Sequence, residues 1–294
     1  MVVYFCGIYY FLHILLIGTF RNDRDILMIG TLEAMVSIYK AYFPADTVIW
    51  QSRCKFHITF FGLKGSGGCM SERNLEEFLQ ETGYDSSKTL VLYDNRENLL
   101  SSRAWWIFSH YGIPPEKIKV LDGGWKHWVA NGNPVVTECE EIESAKMDIT
   151  ENKIARIQLC AGNKLIGLGE VQTLLSERDG IFIDTRTEEE FSGQFLFGNA
   201  RGGHIPGALH FEWINGIDEE NNDTFKSEDQ MREEFPELWE NQPDLDTPIV
   251  SYCQVGIRAA NVAFMLEGVC GFKNVKVYEK SMQEYLNREG MHVE

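Results

Sequence analysis

The chain has 294 residues, of which 44% are hydrophobic and 24% are charged, and its formal net charge is −17. This length predicts two domains of ordinary size, and the composition is typical of a folded globular protein rather than a disordered one. The acidic balance argues against nucleic acid or an anionic membrane surface as the main partner, because like charges repel. The seven cysteines show no close repeated spacing, so we expect reduced thiols, no disulfide framework, no metal and no cofactor.

The first twenty residues are strongly apolar and hold no Lys, Arg, Asp or Glu. They are nearly long enough to cross a bilayer, so a membrane anchor is one interpretation. The segment has no basic start and no small-residue cleavage site, which argues against a signal peptide. We favour a buried strand over residues 13–20 and expect a cytoplasmic protein with no membrane partner, with a mitochondrial location as the alternative.

Two segments of the chain, 89–122 and 248–279, repeat the same order of patterns. Each predicts a strand, a tight loop, an amphipathic helix that ends at a glycine, and a second strand followed by a helix. The strands are short apolar runs without polar alternation, which is typical of parallel sheets covered by helices on both faces. The sequence therefore predicts an α/β fold of two similar units, each with a mostly parallel sheet.

The second unit extends upstream of its repeat. A helix over 171–175, a strand over 180–184 and a glycine-rich turn at 202–207 precede the second copy. The acidic segment 214–246 predicts a surface excursion with short helices. A polar stretch between the two copies predicts a linker. The predicted boundaries are 1–140 for the first domain, 141–157 for the linker and 158–294 for the second domain.

Cys253 directly follows the predicted strand of the second copy, where reactive groups of open parallel sheets are found. The loop 253–258 runs into a helix, so backbone N–H groups and the helix dipole favour a thiolate there. Gly256 permits backbone angles that a side chain forbids, and Arg258 adds positive charge. The alternative is a buried structural cysteine. Because the loop is one residue shorter than that of tyrosine phosphatases, it favours a sulfur-bound group over phosphate.

Three motifs in order then resemble the rhodanese family: Ile-Asp-Thr-Arg at 183–186, Gly-His-Ile-Pro-Gly-Ala at 203–208 and Cys-Gln-Val-Gly-Ile-Arg at 253–258. The duplication is similar to the tandem thiosulfate and 3-mercaptopyruvate sulfurtransferases. The resemblance implies two rhodanese-like domains, of which the first is silent and the second catalytic. Asp94 stands at the position that matches Cys253, and a carboxylate cannot carry a persulfide.

The resemblance further implies double displacement, in which Cys253 takes sulfur from a donor as a persulfide and passes it to a thiol or cyanide. Arg186 is predicted to bind the carboxylate or sulfonate end of the donor, with a salt bridge to residues 188–190 as the alternative. Asp184 and His204 are predicted to support the structure. The predicted substrate-binding residues are Arg186, Arg201, Gln254, Val255, Gly256, Ile257 and Arg258.

The predicted partners are a small-molecule sulfur donor and a thiol or cyanide acceptor, with a thioredoxin-like protein among the acceptors. The neutral pair Gln254 and Val255 fits neither donor pattern of the family and slightly favours 3-mercaptopyruvate over dianionic thiosulfate. Two competing functions remain: a phosphatase-like or arsenate-reducing enzyme on a related loop, and a rhodanese module that only binds.

Two stretches depart from the family pattern. Residues 279–282, Glu-Lys-Ser-Met, replace the usual Asp-Gly-Ser-Trp, so the following helix is expected to lie differently. In the first half, residues 17–20 and 42–45 stand where the family has its Asp-x-Arg strand end and its His-Ile-Pro-Gly turn. The absent acid and arginine leave substrate contacts from the first domain without support.

Overall fold

The computed structural model describes the backbone of residues 16–19 and 26–30, residue 75, and residues 89–133, 162–241 and 245–294. Two compact units are present. The first groups the described residues up to 133 with Asn221–Asp223, and the second holds Gly162–Glu220 and the described residues from Thr224 onward. The predicted linker 141–157 and the predicted turn 42–45 lie outside the described residues.

The first unit is built on a sheet in which β1 pairs antiparallel with β2, and β2, β3 and β4 follow in parallel. Its strands are β1 (Leu16–Thr19), β2 (Ile26–Gly30), β3 (Thr89–Leu92) and β4 (Ile118–Val120). Its helices are α1 (Leu99–His110), a 3-10 turn (Pro115–Lys117) and α2 (Gly124–Ala130). Helix α1 is buried on almost every side, including both Trp105 and Trp106, so it is a core helix rather than a surface one.

The second unit is built on a five-stranded sheet in the order β5-β11-β10-β6-β7, with every neighbouring pair parallel. Its strands are β5 (Leu165–Ile166), β6 (Ile181–Asp184), β7 (Leu209–His210), β10 (Ile249–Tyr252) and β11 (Val275–Tyr278). All four residues of the central strand β10 are buried, as expected for a strand covered on both faces. The predicted α/β class is confirmed.

Helices lie between these strands along the chain, and the last helix follows β11. They are α3 (Leu168–Glu177), α4 (Glu188–Phe191), α5 (Glu228–Glu234), α6 (Pro236–Asn241), α7 (Ile257–Phe264) and α8 (Ser281–Tyr285). A π-helical turn, Met265–Val269, continues α7 without a break. The predicted excursion 214–246 contains the short helices α5 and α6, a 3-10 turn (Trp213–Gly216), and a small antiparallel hairpin that the sequence did not indicate, β8 (Ile217–Asp218) with β9 (Thr224–Phe225).

The repeat is present as β3-α1-β4-α2 and β10-α7-β11-α8, and its two copies share their fine geometry. Trp125 N–H donates to the Asp94 carbonyl at 2.9 Å, and Met282 N–H donates to the Cys253 carbonyl at 3.0 Å. The helix that follows thus begins with the same contact in both copies, because Ser281 adopts φ +49°, almost the angle of Gly124 (φ +48°) in the first copy. The expectation that this helix lies differently from that of the family stays a prediction.

The first half differs from the sequence prediction in one strand. The predicted strand 13–20 is present as β1, of which Leu16–Thr19 is described. However, the strand that pairs in parallel with β3 is β2, and not the strand of residues 17–20. This pairing matches that of β6 with β10 in the second unit. Within the part of the chain that the structure describes, no helix is long and apolar enough to cross a membrane.

Candidate active site

Cys253 lies at the carboxyl end of β10, and α7 begins four residues later at Ile257. This edge of a parallel α/β sheet is where ligands and reactive groups collect. The residue is 1% exposed, and its sulfur accepts a hydrogen bond from Gly256 N–H at 3.1 Å. The Cys253 N–H donates to Ser281 Oγ at 3.1 Å, and Ser281 Oγ donates onward to the Tyr278 carbonyl. The loop therefore presents a backbone N–H to the sulfur from a fixed position.

Gly256 is required for this loop on two grounds. Its φ of +81° lies in the left-handed region that side chains disfavour. A Cβ at this position would lie 2.7 Å from the Glu279 carbonyl oxygen. The loop thus passes directly against the end of β11, and only a glycine allows both the turn and the approach.

Arg258 forms a two-pronged ion pair with Glu190, with N–O distances of 2.6 and 2.9 Å. Burial alone raises the pKa of Glu190, but the bond and charge of Arg258 outweigh it and hold the pKa below its usual value. Burial alone lowers the pKa of Arg258, and the bond to Glu190, followed by the charge of Cys253, raises it overall. Arg258 therefore adds positive potential near the sulfur while being fixed by a buried carboxylate.

Arg186 is 1% exposed and lies against Asp184 rather than facing open solvent. Its Nε and Nη2 donate to the Asp184 carboxylate at 2.9 and 2.7 Å, and Nη2 also donates to the Gly203 carbonyl. The guanidinium is buried and paired, so the predicted donor contact would require this pair to open and stays a prediction. The predicted alternative also chose the wrong acid, since the partner is Asp184 and not residues 188–190.

Gln254, the residue after the cysteine, is buried and points away from open solvent. Its amide exchanges two hydrogen bonds of 3.0 Å with the amide of Asn199. Its predicted substrate contact is therefore not available to the side chain in this arrangement. Val255 and Ile257, by contrast, are partly exposed on the loop surface.

The hydrogen bonds of Arg201 lie away from the cysteine loop, and its predicted substrate contact stays a prediction. Its guanidinium donates to four backbone carbonyls of the C-terminal segment. The acceptors are Tyr285, Leu286, Arg288 and Met291. A guanidinium has five N–H donors, so this arrangement uses most of them. Arg201 thus anchors the segment after α8 to the loop that precedes the glycine-rich turn.

His204 and Asp184 have contacts of the supporting kind that the sequence predicted. A ring nitrogen of His204 lies 3.0 Å from the Phe191 carbonyl, and its ring stacks on Phe191 with centroids 3.7 Å apart. The His204 backbone pairs in both directions with Glu294. Asp184, besides its ion pair, accepts from the Arg186 N–H at 3.0 Å.

In the first unit, the loop that matches the cysteine loop holds Asp94, which is buried. Its carboxylate accepts three backbone N–H groups, from Arg96 at 2.7 Å, Leu100 at 2.9 Å and Ser101 at 2.6 Å. Leu100 and Ser101 lie in the first turn of α1, and Arg96 lies in the loop before it. The helix N-terminus is therefore already satisfied by an anion that belongs to the chain itself.

Three residues of this neighbourhood have contacts that were not predicted: Asn199, Ser281 and Glu190, the last of which was named only as a partner for Arg186. A signal for Glu190 was present, because Thr187 and Glu190 form a capping box at the start of α4. Asn199 and Ser281 carried no local signal, since their partners Gln254 and Cys253 lie far away in the sequence.

The rhodanese-like domain family matches two stretches of the chain, residues 57–131 and 168–288. Together they cover more than half of the 294 residues. The chain belongs to the rhodanese-like family. The first matched stretch contains Asp94, and the second contains Cys253 with its whole loop.

Relatives of this rhodanese-like protein carry names that refer to sulfur. The "Putative thiosulfate sulfurtransferase" of Mycobacterium tuberculosis (strain ATCC 25618 / H37Rv) is 29% identical over 231 residues, 76% of either chain. The "Sulfur carrier protein TtuD" of Thermus thermophilus is 26% identical over 231 residues, 76% of this chain and 77% of its own.

Solved structures share the rhodanese-like fold. SseA from Escherichia coli, named with the 3-mercaptopyruvate sulfotransferases, gives a TM-score of 0.55 at 23% identity, over 71% of this chain and 72% of its own. Wild-type EanB gives a TM-score of 0.66 at 17% identity, over 94% of this chain and 64% of its own. The rhodanese-like chain thus spans just under two thirds of EanB, and at these identities the likeness shows the fold.

Proposed function

We propose that this protein is a sulfurtransferase that carries sulfane sulfur as a persulfide on Cys253. The observation that carries the proposal is the Gly256 N–H directed at the Cys253 sulfur at 3.1 Å, in a short loop at the start of a helix. Backbone donors fixed in this way stabilise negative charge on sulfur without reorganisation during the reaction. The sulfur-related names of relatives support the same activity class.

The proposed reaction has two displacement steps at the outer sulfur. With 3-mercaptopyruvate, the Cys253 thiolate attacks the donor sulfur, an S–S bond forms, the C–S bond breaks, and the enolate of pyruvate leaves and takes a proton. With thiosulfate, the S–S bond of the donor breaks and sulfite leaves with the electron pair. In the second step an acceptor thiolate or cyanide attacks the outer sulfur, and Cys253 leaves as a thiolate.

We favour 3-mercaptopyruvate over thiosulfate as the donor. Both arginines next to the site are held by carboxylates, Arg186 by Asp184 and Arg258 by Glu190. Paired cations attract a dianion less than free ones do, so they favour a donor with a single carboxylate. Thiosulfate remains the second donor because relatives are named after it.

Mass spectrometry of the intact protein tests the activity. Incubation with 3-mercaptopyruvate, or with thiosulfate, is expected to add one sulfur mass that maps to Cys253, and cyanide is expected to remove it as thiocyanate. Cys253→Ser is expected to abolish the adduct.

Cys270→Ser is the matched control, because Cys270 is a second buried cysteine of the same unit. Burial raises the pKa of Cys270 to about 12, so its thiol is protonated at neutral pH and the control variant is expected to load normally. The absence of an adduct with either donor would contradict the sulfurtransferase proposal and return the protein to a binding role. A higher initial rate with thiosulfate than with 3-mercaptopyruvate would contradict only the choice of donor.

A further inference from the structure

The side chain after the reactive cysteine is held by a chain of three amides. Gln254 and Asn199 exchange two hydrogen bonds of 3.0 Å, and both side chains are buried. Asn287 Nδ2 donates to Asn199 Oδ1 at 2.9 Å, and Ala200 N–H donates to Asn287 Oδ1 at 2.8 Å. The network joins three parts of the chain that are far apart in sequence: the loop before the glycine-rich turn, the cysteine loop and the segment after α8.

The backbone of the cysteine loop is held from a second side. The carbonyls of Cys253 and Gln254 accept from Met282 N–H and Gln283 N–H, both at 3.0 Å. These bonds fix the peptide planes on the side of α8. The side chain of Gln254 is held separately, by its two hydrogen bonds to the amide of Asn199.

We propose that Asn199 is a positioning residue for sulfur transfer, which rests on the proposed function of Cys253. By fixing the Gln254 side chain, Asn199 holds the start of the loop so that the Cys253 sulfur keeps its place next to Gly256 N–H. Asn199 does not touch the reacting atoms, and its effect passes through Gln254. The pair also keeps the amide of Gln254 away from the donor, while Val255, Ile257 and Arg258 are the partly exposed side chains of the loop.

The burial of the two amides favours one fixed conformation of the Gln254 and Asn199 side chains. Both amides are buried and satisfy each other, and removal of one leaves the other without its buried partner. Relief of that penalty requires Gln254 to turn, which moves the residue bonded directly to Cys253. Since small misplacement of reacting groups lowers rates by factors of up to about 100, a displaced loop is expected to slow sulfur transfer more than it weakens donor binding.

An exchange of side-chain lengths tests the proposal. Gln254→Asn shortens the pair by one methylene, and the double variant Gln254→Asn with Asn199→Gln restores the total length. For Asn199→Ala and for Gln254→Asn we expect the single-turnover rate of sulfur loading at saturating donor to fall about tenfold. The donor concentration for half-maximal rate is expected to stay within about twofold of the wild type, and the double variant is expected to regain most of the rate.

Asn274→Ala is the matched control, because Asn274 also donates a side-chain hydrogen bond, to the Asp246 carbonyl, but at the opposite end of the strands. If Asn199 only supported folding, Asn199→Ala would lower the amount of sulfur loaded per chain. The loading rate of the folded fraction would stay unchanged. A rate for Asn199→Ala within about twofold of wild type, or no recovery in the double variant, would overturn the proposal.

A second measurement needs no donor. Cys253 is 1% exposed, so a loosened loop is expected to raise the rate of its alkylation by iodoacetamide severalfold in Asn199→Ala but not in Asn274→Ala. An unchanged alkylation rate would overturn the positioning role whether or not sulfur transfer occurs. A wild-type protein that loads no sulfur, together with faster alkylation in Asn199→Ala, would instead contradict only the proposed function.

Discussion

At the scale of single residues, the second unit pairs each arginine near its cysteine loop with an acid. Arg186 and Asp184 form a buried pair, and Arg258 and Glu190 form a pair that is partly exposed on the arginine side. Such pairs contribute little net stability over apolar residues, but breaking one leaves a buried charge without compensation. The two pairs therefore fix the local geometry more than they attract ligands.

Arg186→Ala is expected to destabilise the protein rather than to weaken donor binding. The variant leaves the fully buried Asp184 carboxylate without its partner, which costs about 3 to 5 kcal/mol of unfolding free energy. Urea unfolding measures this loss. The double variant Arg186→Met with Asp184→Asn removes both charges and is expected to lose less.

A different outcome would restore the substrate role of Arg186. If Arg186→Ala keeps its unfolding free energy and raises the donor KM, the guanidinium contacts the donor and the buried pair opens on binding. The double variant serves as the control for lost packing, because methionine covers much of the same apolar surface.

At the scale of elements, the cysteine loop is shaped by two residues in the left-handed conformation, Gly256 within it and Ser281 at the start of α8. Both lie where the loop and the end of β11 meet. The hydroxyl of Ser281 binds the Cys253 N–H, so the strained residue has a direct contact with the site. Strain at such positions is retained where the surrounding contacts hold it in place.

Gly256→Ala is expected to destabilise the protein more than Gly271→Ala does. Both glycines have nearly the same φ, +81° and +78°, but a Cβ at Gly271 meets nothing within 4 Å, whereas one at Gly256 meets the Glu279 carbonyl. The left-handed conformation alone costs about 1 to 2 kcal/mol. The difference in thermal stability between the two variants therefore measures the cost of the close contact alone. Equal losses of stability would show that the loop can move away from β11 to make room for the Cβ.

The elements around the cysteine could be predicted from the sequence because their signals are local. The run 249–252 with the following loop and helix indicated where Cys253 lies, and Arg258 follows at a fixed spacing. The contacts of Arg186 and Arg201 could not be predicted, because an arginine near a site has the same sequence signal whether it binds a ligand or a backbone carbonyl. The hairpin β8–β9 was missed because strands of two residues have no period to detect.

At the scale of the whole molecule, the net charge of −17 opposes the approach of anionic donors. The value of kcat/KM for 3-mercaptopyruvate is expected to rise about twofold or more between roughly 10 and 150 mM ionic strength, because salt screens this repulsion. Thiosulfate, a dianion, is expected to show the steeper rise.

Alkylation of Cys253 by neutral iodoacetamide is the control for the salt effect, and its rate is expected to stay constant. Iodoacetate, which is anionic, is expected to follow the donors. A fall of kcat/KM with salt would show that positive potential near Arg258 outweighs the charge of the molecule as a whole.

Asp94 does not only replace a cysteine in the first unit, because its carboxylate also occupies the backbone N–H groups of the loop. Its carboxylate is tethered within the loop whose N–H groups it accepts, so it competes with dissolved anions as an intramolecular ligand. The effective concentration of such a tethered group far exceeds that of metabolites in solution. Small anions are thereby kept out of the first loop, and a reactive centre in the first unit would require this built-in competitor to be displaced as well as a thiol to be introduced.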